Sequence, residues 1–135
     1  MKIITWTDDL SVGVGRIDDD HRRWIELFNA LFAACFAGVG ADVVRGTLAE
    51  LVDYTKGHFA REEGYLAEVG YPGLEAHRQL HQALVVRVDA IMAELDGNPG
   101  REVSAEVLDF LQDWLIHHIK EQDLRYASAT GTRPG

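Results

Sequence analysis

Residues 74–95 read LEAHRQLHQALVVRVDAIMAEL, and this stretch decides the fold. Leu80, Leu84, Val85, Val88, Ile91, Met92 and Leu95 recur at the three- and four-residue spacing that lines one face of an α-helix. Gly70-Tyr71-Pro72-Gly73 stops any helix before it and Asp96-Gly97-Asn98-Pro99-Gly100 stops it afterwards. The stripe has an unusual beginning. His77 and His81, four residues apart, lead into Leu84 and Val88, so two imidazoles occupy positions that should be apolar.

Three more blocks repeat the helical period. One spans about 18–37, with Trp24, Ile25, Phe28, Leu31, Phe32 and Cys35 on its stripe and the Gly38–Gly40 breaker behind it. A second spans about 42–69, with Leu48, Leu51, Val52, Phe59, Tyr65, Leu66 and Val69; the fourth spans about 104–127, with Val107, Leu108, Leu111, Trp114 and Leu115. The Asp18–Asp20 run reads as the cap and acidic first turn of the first block. Four amphipathic helices on short connections pack as an all-α, antiparallel up-down-up-down four-helix bundle. An extended leader (1–17) precedes the bundle within one domain of 1–127, and a small, polar tail (128–135) is expected to fray.

Composition bounds the function. The chain has 135 residues, 47% apolar and 26% charged, ordinary values for a single globular domain. A formal charge of -9 argues against nucleic acid, whose backbone is bound by Lys and Arg. No apolar run approaches the ~20 residues that span a bilayer, and the first ten residues reach an acidic pair too early for a secretory segment. A cytoplasmic location is therefore expected. The single cysteine, Cys35, excludes an internal disulfide and a thiolate zinc cage, and reads as an apolar filler.

Five of the six histidines fall in phase with the apolar stripes. His21 precedes Trp24 and Ile25; His58 and Glu62 run in step with Leu51, Thr55 and Tyr65; His118 follows Leu111, Trp114 and Leu115. A lone buried histidine is usually satisfied by a neighbour. Five at once, each costing ~1–3 kcal/mol without a partner, would consume most of a domain's ~5–15 kcal/mol of stability. All of them also meet in one layer, because the starts of the first and third helices face the ends of the second and fourth. A shared metal centre satisfies every one. Nitrogen and oxygen donors without thiolate favour iron or manganese. If two ions share two carboxylates and one solvent oxygen, the bridges fill six positions and the imidazoles five. One ion is then six-coordinate, and the other keeps a vacancy suited to a small diatomic molecule.

Glu62 supplies one carboxylate, and the last helix must supply the other. Asp123 stands five residues beyond His118, and five α-helical steps leave it about 140° away in azimuth. A wider turn would correct this; Asp113 and Glu121 are the alternatives on spacing alone.

His21, HFAREE from His58, HRQLH from His77 and HIKEQD from His118 together resemble the hemerythrins, in particular the single-domain bacterial form. The likeness runs from Trp6 through VGVGRIDDDH to WLIHHIKEQDLRY and leaves out only the tail. It implies two non-heme irons with an oxo or hydroxo bridge. His77, His81 and His118 would hold one, His21 and His58 the other, with Glu62 and Asp123 bridging. It further implies reversible O2 binding at the five-coordinate iron, with O2 held as hydroperoxide, and a gas pocket near Phe59, Trp114 and Leu115. Three residues depart from the pattern. Asp20 stands where bacterial members commonly have Gln and either adds negative charge near a ligand or caps the helix, the cap being favoured; Trp24 is bulkier than the usual aliphatic residue and would narrow the pocket; His117 matches no ligand and reads as exposed rather than placed behind a ligand.

No acid–base or nucleophile pair is evident in the interior beyond the ligand set, which favours a carrier, store or delivery protein over an enzyme. Tyr65 is the one internal proton donor that a di-iron oxidase or peroxidase reading could use. A sensor is the third reading. The expected partners are O2 and an accepting protein, with the chain itself a monomer.

Overall fold

A computed structural model describes residues 3–98, 100 and 102–131. Four helical rods run in alternating directions: α1 (Gly15–Ala37), α2 (Ala41–Glu68), α3 (Leu74–Asp96), and a fourth that opens as α4 (Ala105–His117). The fourth rod passes through a π-helical segment, His118–Asp123, and ends as α5 (Leu124–Thr130). Its backbone stays right-handed helical at both joints, at His118 and at Leu124. α1 packs on α2 and α4, and α2 on α3. This is the four-helix bundle that the stripes predict.

Local chemistry fixes the ends. Gly38 closes α1 at φ 67°, in the left-handed region that costs glycine least. The Ser104 hydroxyl accepts from the Val107 N–H and so caps α4. α1 begins three residues earlier than the Asp18–Asp20 run suggests, and Asp18 does not cap it. Its carboxylate instead accepts from the Val12 N–H at 2.8 Å and the Ser11 hydroxyl at 2.6 Å, tying the leader to the bundle. A second tie pairs the Asn29 amide with both backbone groups of Ile4, at 2.8 and 2.7 Å. α5 extends helix into the expected tail, whose residues 132–135 lie outside the described residues.

Asp18→Ala is expected to lower the unfolding free energy by about 2 kcal/mol, the worth of buried hydrogen bonds to a charged acceptor. Urea denaturation measures it, and an unchanged midpoint would refute the tie.

The core falls into two parts. The larger holds Trp24, Phe28, Leu31, Leu48, Phe59, Leu84, Leu115 and Ile119 among others; the smaller holds Val12, Ile17, Tyr65, Leu66, Tyr126 and Ala127. Along each rod the histidines sit between a residue of one cluster and a residue of the other. His21 lies between Ile17 and Trp24, and Glu62 between Phe59 and Tyr65. Two residues assigned to the stripes, Leu80 and Val69, are instead exposed, at 37% and 42%. They lie on the flanks of their faces, where periodicity alone does not separate edge from centre.

Candidate metal centre

A polar layer crosses the bundle between the two apolar clusters. His21, His58, Glu62, His77, His81, His118 and Asp123 are all buried in it. α1 contributes His21; α2 contributes His58 and Glu62 one turn apart; α3 contributes His77 and His81 one turn apart; the fourth rod contributes His118 and Asp123. All seven residues expected from the sequence converge there. Asp113 and Glu121, the alternatives for the second carboxylate, are exposed. The π-helical segment begins at His118 and ends at Asp123. Its i→i+5 bonding brings residue i+5 nearly back over residue i, which is the wider turn that His118 and Asp123 need to share a face.

The two carboxylates divide their oxygens between two groups of histidines. Glu62 Oε1 lies 2.8 Å from His77 Nε2, 3.0 Å from His81 Nε2 and 3.7 Å from His118 Nε2. Glu62 Oε2 faces the other way, 3.4 Å from His21 Nε2 and 3.5 Å from His58 Nε2. Asp123 repeats the division. Its Oδ1 is 3.0 Å from His77 Nε2 and 3.1 Å from His118 Nε2, and its Oδ2 is 3.1 Å from His21 Nε2. The donors fall into two overlapping sets, Glu62–His77–His81–His118 and His21–His58–Glu62–Asp123, each with its donor atoms within 4.8 Å of one another.

Several of these atoms have no hydrogen-bond partner that explains their burial. Both ring nitrogens of His21, His58 Nε2 and both oxygens of Asp123 are buried without one. The His81 and His118 Nε2 atoms face each other at 3.0 Å. Lone pairs aimed at common points, orphaned as hydrogen-bonding groups, fit two cations. Electrostatics follow the same geometry. Although burial opposes the charged form, Asp123 and Glu62 push His21 up to about 10 and His77 up to about 9. Burial pushes His58 down. Against burial, the surrounding imidazoles hold Glu62 well below the usual carboxylate range; against burial and repulsion from Glu62, His118 and His21 do the same for Asp123.

The residues expected around a gas pocket divide. Trp24, Trp114 and Leu115 line a partly open, mostly apolar cavity of about 20 Å³, together with Phe28, Leu51 and Thr55. Phe59 is not in that lining; it stacks on His81 with ring centroids 3.7 Å apart. The bulk of Trp24 is accommodated by a hydrogen bond from its indole N–H to Thr55 Oγ1 at 2.8 Å, with the ring 5.1 Å from His58. His117 is exposed and its ring bonds the Asp113 carbonyl at 2.8 Å.

Three groups stand behind the layer, of which the sequence singles out only Asp20, with the cap as the favoured reading. The Tyr126 hydroxyl donates to Glu62 Oε2 at 3.2 Å, where Tyr65 was the expected internal donor; Tyr65 instead packs 6.1 Å from the Tyr126 ring. Burial, Glu62 and Asp123 together raise the Tyr126 phenol above its ordinary range. Glu63 meets His81 Nδ1 at 2.9 Å. Asp20 meets His58 Nδ1 at 3.2 Å and so is not a cap. Tyr126 stands three residues after Asp123, and Glu63 is adjacent to Glu62, so both had a positional signal. Asp20 was marked by its departure from the family pattern beside His21, but nothing in its spacing pointed across to His58.

Comparison with known proteins agrees with this geometry. Residues 12–129 match the model of the hemerythrin HHE cation binding domain. Bacteriohemerythrin of Stenotrophomonas maltophilia (strain R551-3) is 38% identical over 127 residues, 94% of this chain and 81% of that protein. Bacteriohemerythrin of Clostridium acetobutylicum is 31% identical over 128 residues, 92% of this chain and 98% of that one. A crystal structure of wild-type hemerythrin superposes with a TM-score of 0.87 at 28% identity, covering 96% of this chain and 98% of that chain.

Proposed function

The chain belongs to the hemerythrin family, and from that premise we propose that it binds O2 reversibly at a pair of non-heme irons, as a carrier, store or delivery protein. His77, His81 and His118 would hold one iron, His21 and His58 the other, and Glu62 and Asp123 would bridge them. The observation that carries this reading is the division of the carboxylates: Asp123 turns one oxygen toward two imidazoles and the other toward one, and Glu62 turns one oxygen toward three imidazoles and the other toward two. Three against two is an unequal pair, and the poorer side has a position to spare. When bound, the irons supply the electrons and the open coordination position that reversible O2 uptake requires.

The protein's part is to hold donors, shape space and keep water out. The cavity beside Trp24 has room for about one small molecule. Its lining of Trp24, Phe28, Leu51, Trp114 and Leu115 offers water few polar partners. An oxidase or peroxidase would use the Tyr126 hydroxyl on Glu62 as an internal donor, but that cavity is too small for an organic substrate. Among the described residues no helix is long and apolar enough to cross a membrane. The reading takes the chain as a cytoplasmic monomer that passes O2 to an accepting protein.

Iron-loaded protein reduced without air should be colourless, colour on exposure to O2, and bleach again under vacuum over many cycles without net O2 consumption. An oxygen electrode and absorption spectra test this together. Sustained O2 uptake with a reductant would overturn the carrier, and failure to hold iron would overturn the centre.

A further inference from the structure

Each side of the polar layer has one imidazole held from behind by a carboxylate that an arginine also holds. On the three-histidine side, Glu63 takes His81 Nδ1 at 2.9 Å and the Arg78 Nε–H at 3.3 Å. On the two-histidine side, Asp20 does more. Its Oδ2 lies 3.2 Å from His58 Nδ1 and accepts the Arg61 Nε–H at 2.8 Å, while its Oδ1 accepts the Tyr54 hydroxyl at 2.7 Å. Arg61 also lies over the Tyr54 ring, 5.2 Å from its centroid, so the carboxylate sits in a fixed cradle drawn from α2.

His58 Nε2 points into the layer, 3.5 Å from Glu62 Oε2. With Nε2 turned to the metal position, Nδ1 carries the proton and donates it to Asp20. His21, the other imidazole on that side, has no such support, since its Nδ1 is buried without a partner. One of the two donors on the poorer side is therefore fixed in tautomer and direction, and the other is not.

We propose that Asp20 is a positioning residue for the two-histidine metal: through the His58 Nδ1–H it fixes the Nε2 lone pair on the metal position and strengthens it as a donor. The inference rests on the two-metal reading above. A carboxylate behind a metal-bound imidazole orients the ring and raises its basicity, and losing such a partner typically weakens metal binding by about 10–100-fold. A stronger donor also favours the more oxidised metal. Asp20 thus sets both how tightly the open side is filled and how readily it gives up electrons.

Asp20→Ala and Asp20→Asn in the full chain separate this from a role in folding. Stepwise anaerobic Fe(II) titration is read beside the melting temperature of the metal-free protein and the reduction potential of the loaded protein. In Asp20→Ala one of the two binding steps should weaken about 10–100-fold with the other step unchanged, while the metal-free melting temperature falls because Tyr54, Arg61 and His58 lose a shared acceptor. Asp20→Asn keeps an acceptor for Nδ1–H and should recover most of that affinity, yet its neutral amide should leave the potential above that of the parent. Parent-like affinity and potential in both variants would overturn the inference. So would an equal loss at both steps, which would mark a structural role. A parent chain that takes up fewer than two irons would overturn the reading beneath, and the inference with it.

Discussion

Glu62→Ala is expected to empty both halves of the centre in a single substitution. Glu62 alone is within 3.7 Å of all five layer imidazoles: Oε1 faces His77, His81 and His118, and Oε2 faces His21 and His58. No neighbour replaces it, since Asp123 approaches His77, His118 and His21, and Glu63 is taken up by His81 Nδ1 and Arg78. Elemental analysis should show iron falling from two ions per chain to fewer than one. The loss should also appear in stability. A ligand at a thousand times its dissociation constant adds about 4 kcal/mol, so the loaded parent should melt well above the variant. The gap should close when both are stripped by a chelator. Two irons retained in Glu62→Ala would refute the bridging assignment.

Metal uptake should depend steeply on pH. A ligand imidazole must be neutral, and in the metal-free protein the carboxylates push His21 up to about 10 and His77 up to about 9. Loading therefore displaces up to two protons from these rings below pH 9. The overall constant for filling both positions should rise by as much as about a hundredfold per pH unit there. Chelator-competition titrations between pH 6 and pH 8 measure the slope, and a flat profile would refute the charged layer.

The metal-free fold should show the opposite trend. Histidines whose folded values lie above the ordinary 6.5 stabilise fully below that value, and their contribution is lost as pH rises through about 9 and 10. Glu62 and Asp123, held low, stabilise above the ordinary carboxylate range, and theirs is lost as pH falls through their folded values. His58, pushed down by burial, works the other way from its neighbours and loses stability as pH falls below 6.5. Metal-free protein should thus weaken on the alkaline side, just where loading is easiest.

The bundle was legible because its cue is periodic. Leu84, Val88 and Leu95 keep one phase through a whole helix, and each is buried. The cue fails at the margins of a stripe, as Leu80 and Val69 do. The donors were legible for the same reason, as polar residues in apolar phase. Asp123 was the exception. An α-helical wheel places it on the wrong side of His118, and no local pattern announces a switch to π-helical bonding; the family likeness pointed to it, and the structure supplies the turn. Asp18 and Asp20 show a further limit. An acidic run before a helical stripe is a sound cap signal, yet one residue ties the leader and the other reaches across to His58. Contacts between distant segments leave no mark in the spacing of either.

Between the helical rods the two apolar clusters face each other across the polar layer, and this gives the bundle a natural plane of parting. One end unites the leader from Val12 onward, the start of α1, the end of α2, the start of α3 and α5 around a handful of side chains, while Ile4 and Leu10 of the leader stay with the larger core. Stripped of its ions, that end is joined to the larger core by imidazoles and carboxylates that trade charge with one another rather than by greasy packing. On the two-metal reading the ions would act as rivets between two storeys, so the loaded protein should unfold as one body, while the empty one should open at its smaller end first.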